Sequence, residues 1–497
     1  MDPVELQVIL GALRAACEEM GAVLIRAAHS PNIKERRDAS CALFDPDGRM
    51  IMQAEHIPVH LGAMPAAVAA VREQEHRPDR AWILNDPFAG GTHLPDITVI
   101  TPVFAGEPDH ARGLLGFAAC RAHHADVGGP TPGSMPADSS SLAEEGVVIP
   151  PQPLDRETID RLVAEMRQPA QRRADLRAQL AANRAGVARL RELAGRVGEG
   201  TLAQATAEVR AYAERRTRAC LAALPDGTRS ARDALEGRDG DLELRLEATV
   251  QGDELLLDFT GSAAQHGGNL NCPLAVTRSA CYFALRVLTD PDIPPSAGAY
   301  EPVEVRAPEG SLLNARPPAA VVAGNVETSS RVADLVLAAF GRALGQGTMN
   351  NLTLGSEDFT YYETLGGGQG ACPEADGPTG VHVAMSNTLN TPVEALELEL
   401  PLRVAEYAVR RGSGGAGARH RGGDGVVREL EALVPMDFSL LTERRRHPPP
   451  GAGGGEPGAA GRNLLAGEEL PAKASGRLEA GQRLRIETPG GGGLGSS

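Results

Sequence analysis

Lysine is nearly missing from this chain: of 49 basic residues only Lys34 and Lys473 are lysines. Neither sits in a GxxxxGK[ST] loop, so the chain carries no P-loop, and Schiff-base chemistry is confined to those two positions. Aromatic residues are scarce too, at 3% of the chain against 42% apolar residues in all, so the core must be built from Ala, Val and Leu. The cysteines at positions 17, 41, 120, 220, 272, 281 and 372 form no CxxC and no other ligand spacing. An odd, scattered set reads as reduced thiols in a cytoplasm. Cys272 and Cys281 have no sequence neighbour that would activate them as nucleophiles, and both read as buried small apolar residues. No apolar run is long enough to span a bilayer. The opening "MDPVELQVILGALRAACEEM" is an amphipathic helix carrying acids, not a basic leader. A formal net charge of −16 disfavours nucleic acid as the main partner, because phosphate neutralisation needs a basic surface. The expectation is a cytoplasmic protein with neither membrane nor nucleic-acid partners.

What is present points to a mixed α+β fold, with mainly antiparallel sheets and flanking helices. Residues 4–29 have helical apolar spacing, and "ASCALFDPDGRMIMQ" reads as a strand–turn–strand hairpin. A short helix is expected over 62–74, and strands over 97–104 and 113–120. Residues 155–223 are rich in Arg, Ala, Leu and Glu at helical spacing, which predicts two or three helices, with a solvated structural arm as the default. Strands return over 241–262, with a turn at Gln251-Gly252-Asp253, and helices are expected at 275–289 and 329–345. Beyond about 350 the chain becomes Gly- and Pro-rich, and "HPPPGAGGGEPGAAG" reads as a loop. The expected division is an N-terminal α+β lobe (1–150), a helical segment (151–225) and a C-terminal α+β lobe with a Gly/Pro-rich tail (226–497).

The chemistry concentrates in "NDPFAGGTHLPDITVI". A turn needs Gly90, Gly91 and Pro95, but it needs neither His93 nor Asp96. If strand 97–104 pairs antiparallel with 113–120, the start of the first and the end of the second share one sheet edge. "RAHHADVGG" follows the second strand, so His123, His124 and Asp126 would meet His93 and Asp96 there. Imidazole plus carboxylate suits one divalent ion such as Mn²⁺, Zn²⁺ or Fe²⁺, and three protein ligands leave positions open for water or substrate. The competing reading is that these histidines cap loops and bond to backbone.

Eight motifs run in order along the chain: "SPNIKERRDASCALFDPDGRM", "AEHIPVHLGAM", "NDPFAGGTHLPDIT", "RAHHADVGGPTPGSMP", "EEGVVIPP", "GNVETSSRVAD", "SNTLNTPVEALE" and "TPGGGG". With them the chain resembles the hydantoinase B family. That family includes the B-type component of ATP-dependent N-methylhydantoinase, the corresponding half of 5-oxoprolinase and the alpha subunit of acetone carboxylase. The resemblance implies a metal centre to which His93 and Asp96 contribute, with a third ligand from "AHHAD". His123 is favoured and His124 is the alternative, since neighbouring residues of an extended chain point opposite ways. It also implies an A-type partner that binds ATP and phosphorylates the substrate, a hetero-oligomer, and ring opening of a cyclic amide (hydantoin, 5-oxoproline or lactam-like). The competing expectations are an alpha-type subunit of a ketone carboxylase and a non-catalytic scaffold for the ATP-using component.

Further candidates complete the expected pocket. In "AEHIPVHLGAM", His56 and His60 are acid/base candidates, although Pro58 between them excludes a regular helix interior. Asp38, with Arg36, either faces substrate or anchors the hairpin as an ion pair. His124 is a further catalytic candidate, and Asp126, Asn269, Asn325 and Glu327 are the substrate-binding candidates. "GNVETSSRVAD" reads as a helix start with Thr328 or Ser329 as N-cap, whose amides could hold an anion. "TPGGGGLG" reads first as tightly packed backbone.

Overall fold

The fold was obtained as a computed structural model that describes residues 1–55, 57–78, 80–106 and 113–495. Helix α1 (Pro3–Ala27) begins at Asp2, whose side chain accepts from the Val4 N–H at 3.1 Å, with Pro3 supplying a preset φ in the first turn. Its stripe Leu6, Leu10, Leu13, Cys17, Met20 and Leu24 is buried on a six-stranded sheet. A single turn, α2 (Pro31–Lys34), leads into that sheet. Its strands are β1 (Ala39–Phe44), β2 (Met50–Glu55), β3 (Ala81–Leu84), β4 (Asp96–Phe104), β5 (Leu114–His123) and β6 (Gln152–Leu154), with α3 (Ala63–Val71) between β2 and β3. The strand order is β2-β1-β5-β4-β3-β6, and every neighbouring pair is antiparallel.

Period-2 alternation divides these strands between two cores. Cys41, Leu43, Ile97, Val99, Cys120 and Ala122 point to the core they share with α1 and the helices that follow β6. Ala42, Phe44, Ile100, Phe117 and Ala119 point to a second core, shared with residues as distant as Leu441. The sheet is therefore covered on both faces, and β1 is buried at every position.

The predicted helical stretch forms three helices, α4 (Arg156–Ala164), α5 (Pro169–Val197) and α6 (Glu199–Ala222). The expectation of a solvated arm is overturned by α5. Its residues Arg172, Asp175, Gln179 and Asn183, spaced three and four apart, are all buried against the sheet side of the molecule. Gln179 donates to Ile97 O (2.8 Å) and Asn183 to Val99 O (2.9 Å), while Asp175 accepts from the amides of His29 and Ser30. Charged residues at helical spacing marked a polar seam, not a solvent face.

A second sheet holds β7 (Gly227–Glu236), β8 (Asp241–Gln251), β9 (Glu254–Asp258) and β10 (Val303–Arg306), in the order β10-β9-β8-β7. Helices α7 (Leu274–Leu288) and α8 (Ser329–Ala339) pack against each other and contribute to the second core. The expected helix start at "GNVETSS" is corrected by the structure. Residues Gly324–Thr328 already form a π-helical turn, and the Thr328 hydroxyl donates to Leu270 O instead of capping.

The C-terminal third holds more strand than its composition suggests. One sheet runs β12-β11-β15-β18 and another β13-β14-β19-β16-β17. Their ranges are β11 (Asn351–Gly355), β12 (Thr360–Glu363), β13 (Leu402–Arg410), β14 (Gly425–Ala432), β15 (Met436–Leu441), β16 (Arg462–Leu465), β17 (Glu468–Leu470), β18 (Lys473–Leu478) and β19 (Arg483–Glu487), with α9 (Val393–Glu399) before β13. Between them the glycine-rich segments pair backbone to backbone. Gly415 N donates to Gly491 O (2.8 Å), Gly491 N to Gly423 O (2.9 Å) and Gly423 N to Gln369 O (2.8 Å). A Cβ on Gly491 would overlap the carbonyl oxygen of Gln369, so the tail is glycine because backbones touch there. Among the described residues no helix is long and apolar enough to cross a membrane.

These contacts set a testable contrast. Gly491→Ala should destabilise the protein by about 3 kcal/mol, the upper end of overpacking penalties. Gly195→Ala, at a position in α5 with open space around it, should stabilise by roughly 0.5–1 kcal/mol. Urea midpoints of the two variants would show the opposite signs.

Candidate metal centre

The register of β4 and β5 places Asp96 opposite His123 and Thr98 opposite Arg121. Both members of each pair face the second core, and Ser40 of β1, opposite Arg121, extends the same face. The loop before β4 brings in His93. Asn85 pins that loop by donating to Leu94 O (2.8 Å) and Val147 O (2.9 Å) and accepting from Ile149 N (2.6 Å). Gly90, with φ 95°, lies so close to α3 that a Cβ would sit 2.6 Å from the Ala66 carbonyl, and Arg121 donates to its carbonyl oxygen at 2.8 Å. The two glycines answer to close packing, which leaves His93 and Asp96 free for another role.

His93 Nε2, His123 Nδ1 and Asp96 Oδ1 lie at the corners of a triangle whose three sides are each 3.2 Å. Ligands at about 2.0–2.2 Å from one ion are roughly 3.3–3.6 Å apart in a tetrahedron and roughly 2.8–3.1 Å apart at right angles. The triangle falls between, as three mutually adjacent donors of a divalent transition metal require. All three residues are buried, with His93 and Asp96 at 1% and His123 at 2% exposure. The electrostatics agree. Burial opposes charge on Asp96, yet His93, together with the neighbouring His123 and His60 rings, holds its carboxyl well below the usual range. Burial pushes His123 below the ordinary imidazole pKa against the pull of Asp96, which keeps it in the neutral form that binds metal.

Neighbouring groups fix the ligands. Thr92 donates to Asp96 Oδ2 at 2.5 Å, and His60 Nε2 stands 3.5 Å from the same oxygen, leaving Oδ1 to the triangle. His60 Nδ1 is held 2.9 Å from Ser40 Oγ. The ring of His123 stacks on Tyr362 of β12, with centroids 4.5 Å apart and planes 11° apart. Arg36 lies against the same Tyr362 ring at 4.6 Å. Its guanidinium donates to Tyr362 O, Thr364 and Thr388, and of the two readings of Asp38 and Arg36 the ion pair between them does not form.

The triangle opens into a small, tight pocket of about 20 Å³. Asp38 and Asn325 line it, together with Met349, Tyr362, Thr364 and the 385–388 segment. Other expected site residues lie elsewhere. His124 turns to the opposite face and meets Gln179 Oε1 at 3.0 Å, where burial lowers its pKa to about 4. Asp126 clamps its own loop, accepting from the amides of Gly128 and Gly133 at 2.7 Å and pairing with Arg167, so it is not free for substrate. Asn269 donates to Pro136 O at 2.9 Å and ties two loops together outside the pocket. Glu327 sits beneath the pocket wall, accepting from Met349 N (3.2 Å) and Asn351 Nδ2 (3.3 Å), with its pKa pushed up to about 8 by burial and by Glu443. His56 lies outside the described residues. Sequence reasoning missed Tyr362, Thr364 and Thr388; the only signal was that Thr388 lies inside the motif "SNTLNTPVEALE".

A family model described as Hydantoinase B/oxoprolinase matches residues 2–497. The chain belongs to the hydantoinase B/oxoprolinase family. It is 41% identical to 5-oxoprolinase 1 of Arabidopsis thaliana, over all of this chain and 42% of that protein. It is 30% identical to the B-type component of a candidate D-/L-hydantoinase from Pseudomonas sp. (strain NS671), over all of this chain and 90% of the other. The crystal structure of ATP-dependent caprolactamase from Pseudomonas jessenii superposes with a TM-score of 0.92 at 29% identity, covering all of this chain and 91% of that one. The chain thus spans about two-fifths of the length of the plant 5-oxoprolinase and nearly the whole of the bacterial hydantoinase component.

The adjacent histidines give the sharpest check. His123→Ala should remove stoichiometric divalent metal, while His124→Ala should retain it, as read by elemental analysis after dialysis. Tyr362→Leu should weaken metal retention about tenfold in a chelator competition, the scale of losing a group that orients a ligand.

Proposed function

We propose that this chain is the B-type component of an ATP-dependent cyclic-amide amidohydrolase, with 5-oxoproline as the first ring to test. The observation that carries the reading is the triangle of His93, Asp96 and His123 at the inner end of a pocket. It occurs in a family member whose relatives include named 5-oxoprolinases. The chain has no P-loop, so ATP is used by an A-type partner that phosphorylates the amide oxygen. In the plant relative, more than half the length lies outside the match, and we assign the partner's task to that remainder.

His93, Asp96 and His123 would hold one divalent ion, with Mn²⁺, Zn²⁺ and Fe²⁺ all compatible with the donor set. Bound there, it supplies Lewis acidity toward the ring carbonyl oxygen and brings the ionisation of water down to about pH 7. Thr92 and His60 keep the Asp96 carboxylate turned toward the triangle. Asp38, in the pocket wall, accepts the proton of the attacking water, and Asn325 orients the ring by hydrogen bonding. Water adds to the activated ring carbon and gives a proton to Asp38, Asp38 returns it to the ring nitrogen as the C–N bond breaks, and a second water hydrolyses the acyl phosphate so formed to carboxylate and phosphate. The buried site keeps the activated amide from bulk water until the ring is in place.

The test is co-expression with an A-type partner and measurement of ring opening and ATP hydrolysis on 5-oxoproline, hydantoin and a lactam. His93→Ala should lower ring opening on the order of 10³-fold, the scale of losing several kcal/mol of metal-ion stabilisation, with the fold retained by circular dichroism. Unchanged turnover in that variant, or full turnover by the partner alone, would refute the assignment.

A further inference from the structure

Among the described residues six arginines are fully buried: Arg36, Arg121, Arg172, Arg331, Arg428 and Arg444. Removing a guanidinium from water without a counter-charge is costly, so buried arginines normally meet a carboxylate. Four of these do. Arg172 pairs with Asp175 (3.3 Å), Arg331 with Asp233 (3.0 Å), Arg428 with Glu363 (3.3 Å) and Arg444 with Asp233 (2.7 Å). Arg121 lies behind Asp96 on the same sheet face and feels its charge. Arg36 is different. Among the described residues it has no carboxylate within 4.0 Å, its partners are all neutral oxygens, and its Nε has no acceptor.

The hydrogens around Arg36 leave a donor over. Its Nη2 donates to Thr364 Oγ1 at 2.9 Å and to Thr388 Oγ1 at 3.3 Å. The two hydroxyls lie 2.6 Å from each other, so one of their two protons bridges them. The second proton has no acceptor among the described residues, and both threonines are buried, at 2% and 6% exposure. Both line the metal-site pocket. A hydroxyl that accepts from a guanidinium is a stronger donor for it, because the charge polarises the chain of bonds.

The charge balance of the pocket points the same way. Asp38 and Asp96 both face it, and a divalent ion on the triangle offsets the two carboxylates. The positive charges of Arg36 and of Arg121 are then left over, and an anionic ligand is favoured at the wall that Arg36 polarises.

We propose that Arg36, acting through the Thr364 and Thr388 hydroxyls, forms an oxyanion subsite in the wall of the metal pocket. It takes a carboxylate carried by the ring or the phosphoryl group on its activated amide. The identity of that ligand rests on the amidohydrolase reading; the existence of the subsite does not. Arg36 is a positioning residue, and the threonines make the contact.

Threonine variants test this without removing the buried arginine. Thr388→Val and Thr364→Val keep the side-chain shape and delete the hydroxyl, while Thr388→Ser restores it. Binding of 5-oxoproline, inorganic phosphate and neutral hydantoin to the metal-loaded full chain is measured by calorimetry, which needs no turnover. Wild type should bind at least one oxyanion, each Val variant should weaken that binding about tenfold or more, Thr388→Ser should stay within about twofold, and hydantoin should be unaffected. Weakening confined to 5-oxoproline assigns the subsite to the ring carboxylate, and weakening confined to phosphate assigns it to the phosphoryl group. Failure of wild type to bind either oxyanion, unchanged oxyanion binding in both Val variants, or equal weakening of hydantoin overturns it. Persistent oxyanion binding with no ring opened in the partnered enzyme would count against the amidohydrolase reading and leave the subsite standing.

Discussion

The pairing of Asp96 with His123 across β4 and β5 is the constraint on which the site depends. Side chains alternate strictly between the faces of a strand, so a slip of one residue in either strand would send its ligand into the opposite core. Apolar neighbours enforce the register. Ile97, Val99, Cys120 and Ala122 must face α1 and α5, which leaves Asp96 and His123 together on the other side. The same alternation sends His124 to Gln179. A hydrophobic requirement thus selects which of two adjacent histidines can join the triangle.

Holding so many polar groups in a dry interior favours partners for them, and around the site the molecule provides many by long-range contact. The α5 stripe satisfies β4 carbonyls from one side of the sheet, while Ser40, Thr92 and His60 support Asp96 from the other. The triangle differs in kind from the other unpartnered groups. There three donors converge on one point with no protein atom between them, and His93 Nδ1 and His123 Nε2 also lack hydrogen-bond partners. Such convergence is unfavourable in a protein without a cation and favourable with one.

Much of this was legible in the sequence, and the boundary of legibility has a physical reason. The β1–β2 hairpin, the β4–β5 pair and the helix Leu274–Leu288 follow from local periodicity and turn chemistry, which lie within short windows. His93, Asp96 and His123 were readable because one antiparallel connection brings them together. Asp126 misled because a carboxylate beside Gly128 and Gly133 serves equally as a loop clamp. The α5 seam misled because a charge pattern cannot say whether its partner is water or a strand carbonyl. Tyr362 was invisible for a different reason. It reaches His123 from a strand more than two hundred residues away, and no local pattern encodes that approach.

That distant contact explains why the glycine-rich C-terminal third belongs to the same site. Tyr362, Thr364 and Thr388 complete the pocket wall only if β12 and the 385–388 segment are held against the first sheet. Arg36 makes the join from the N-terminal side through Tyr362 O and both threonines. On the other side, β12 is bonded to β11 and β11 to β15, and the glycine segments interlock their own backbones alongside. In a chain with six tyrosines and nine phenylalanines in 497 residues, bulky rings are too few to fill such gaps, so close backbone packing takes their place. Tyr362 then bears on the geometry of the β5 ligand candidate, since His123 Nε2 has no hydrogen bond to orient it and the stack helps to set the plane of the ring.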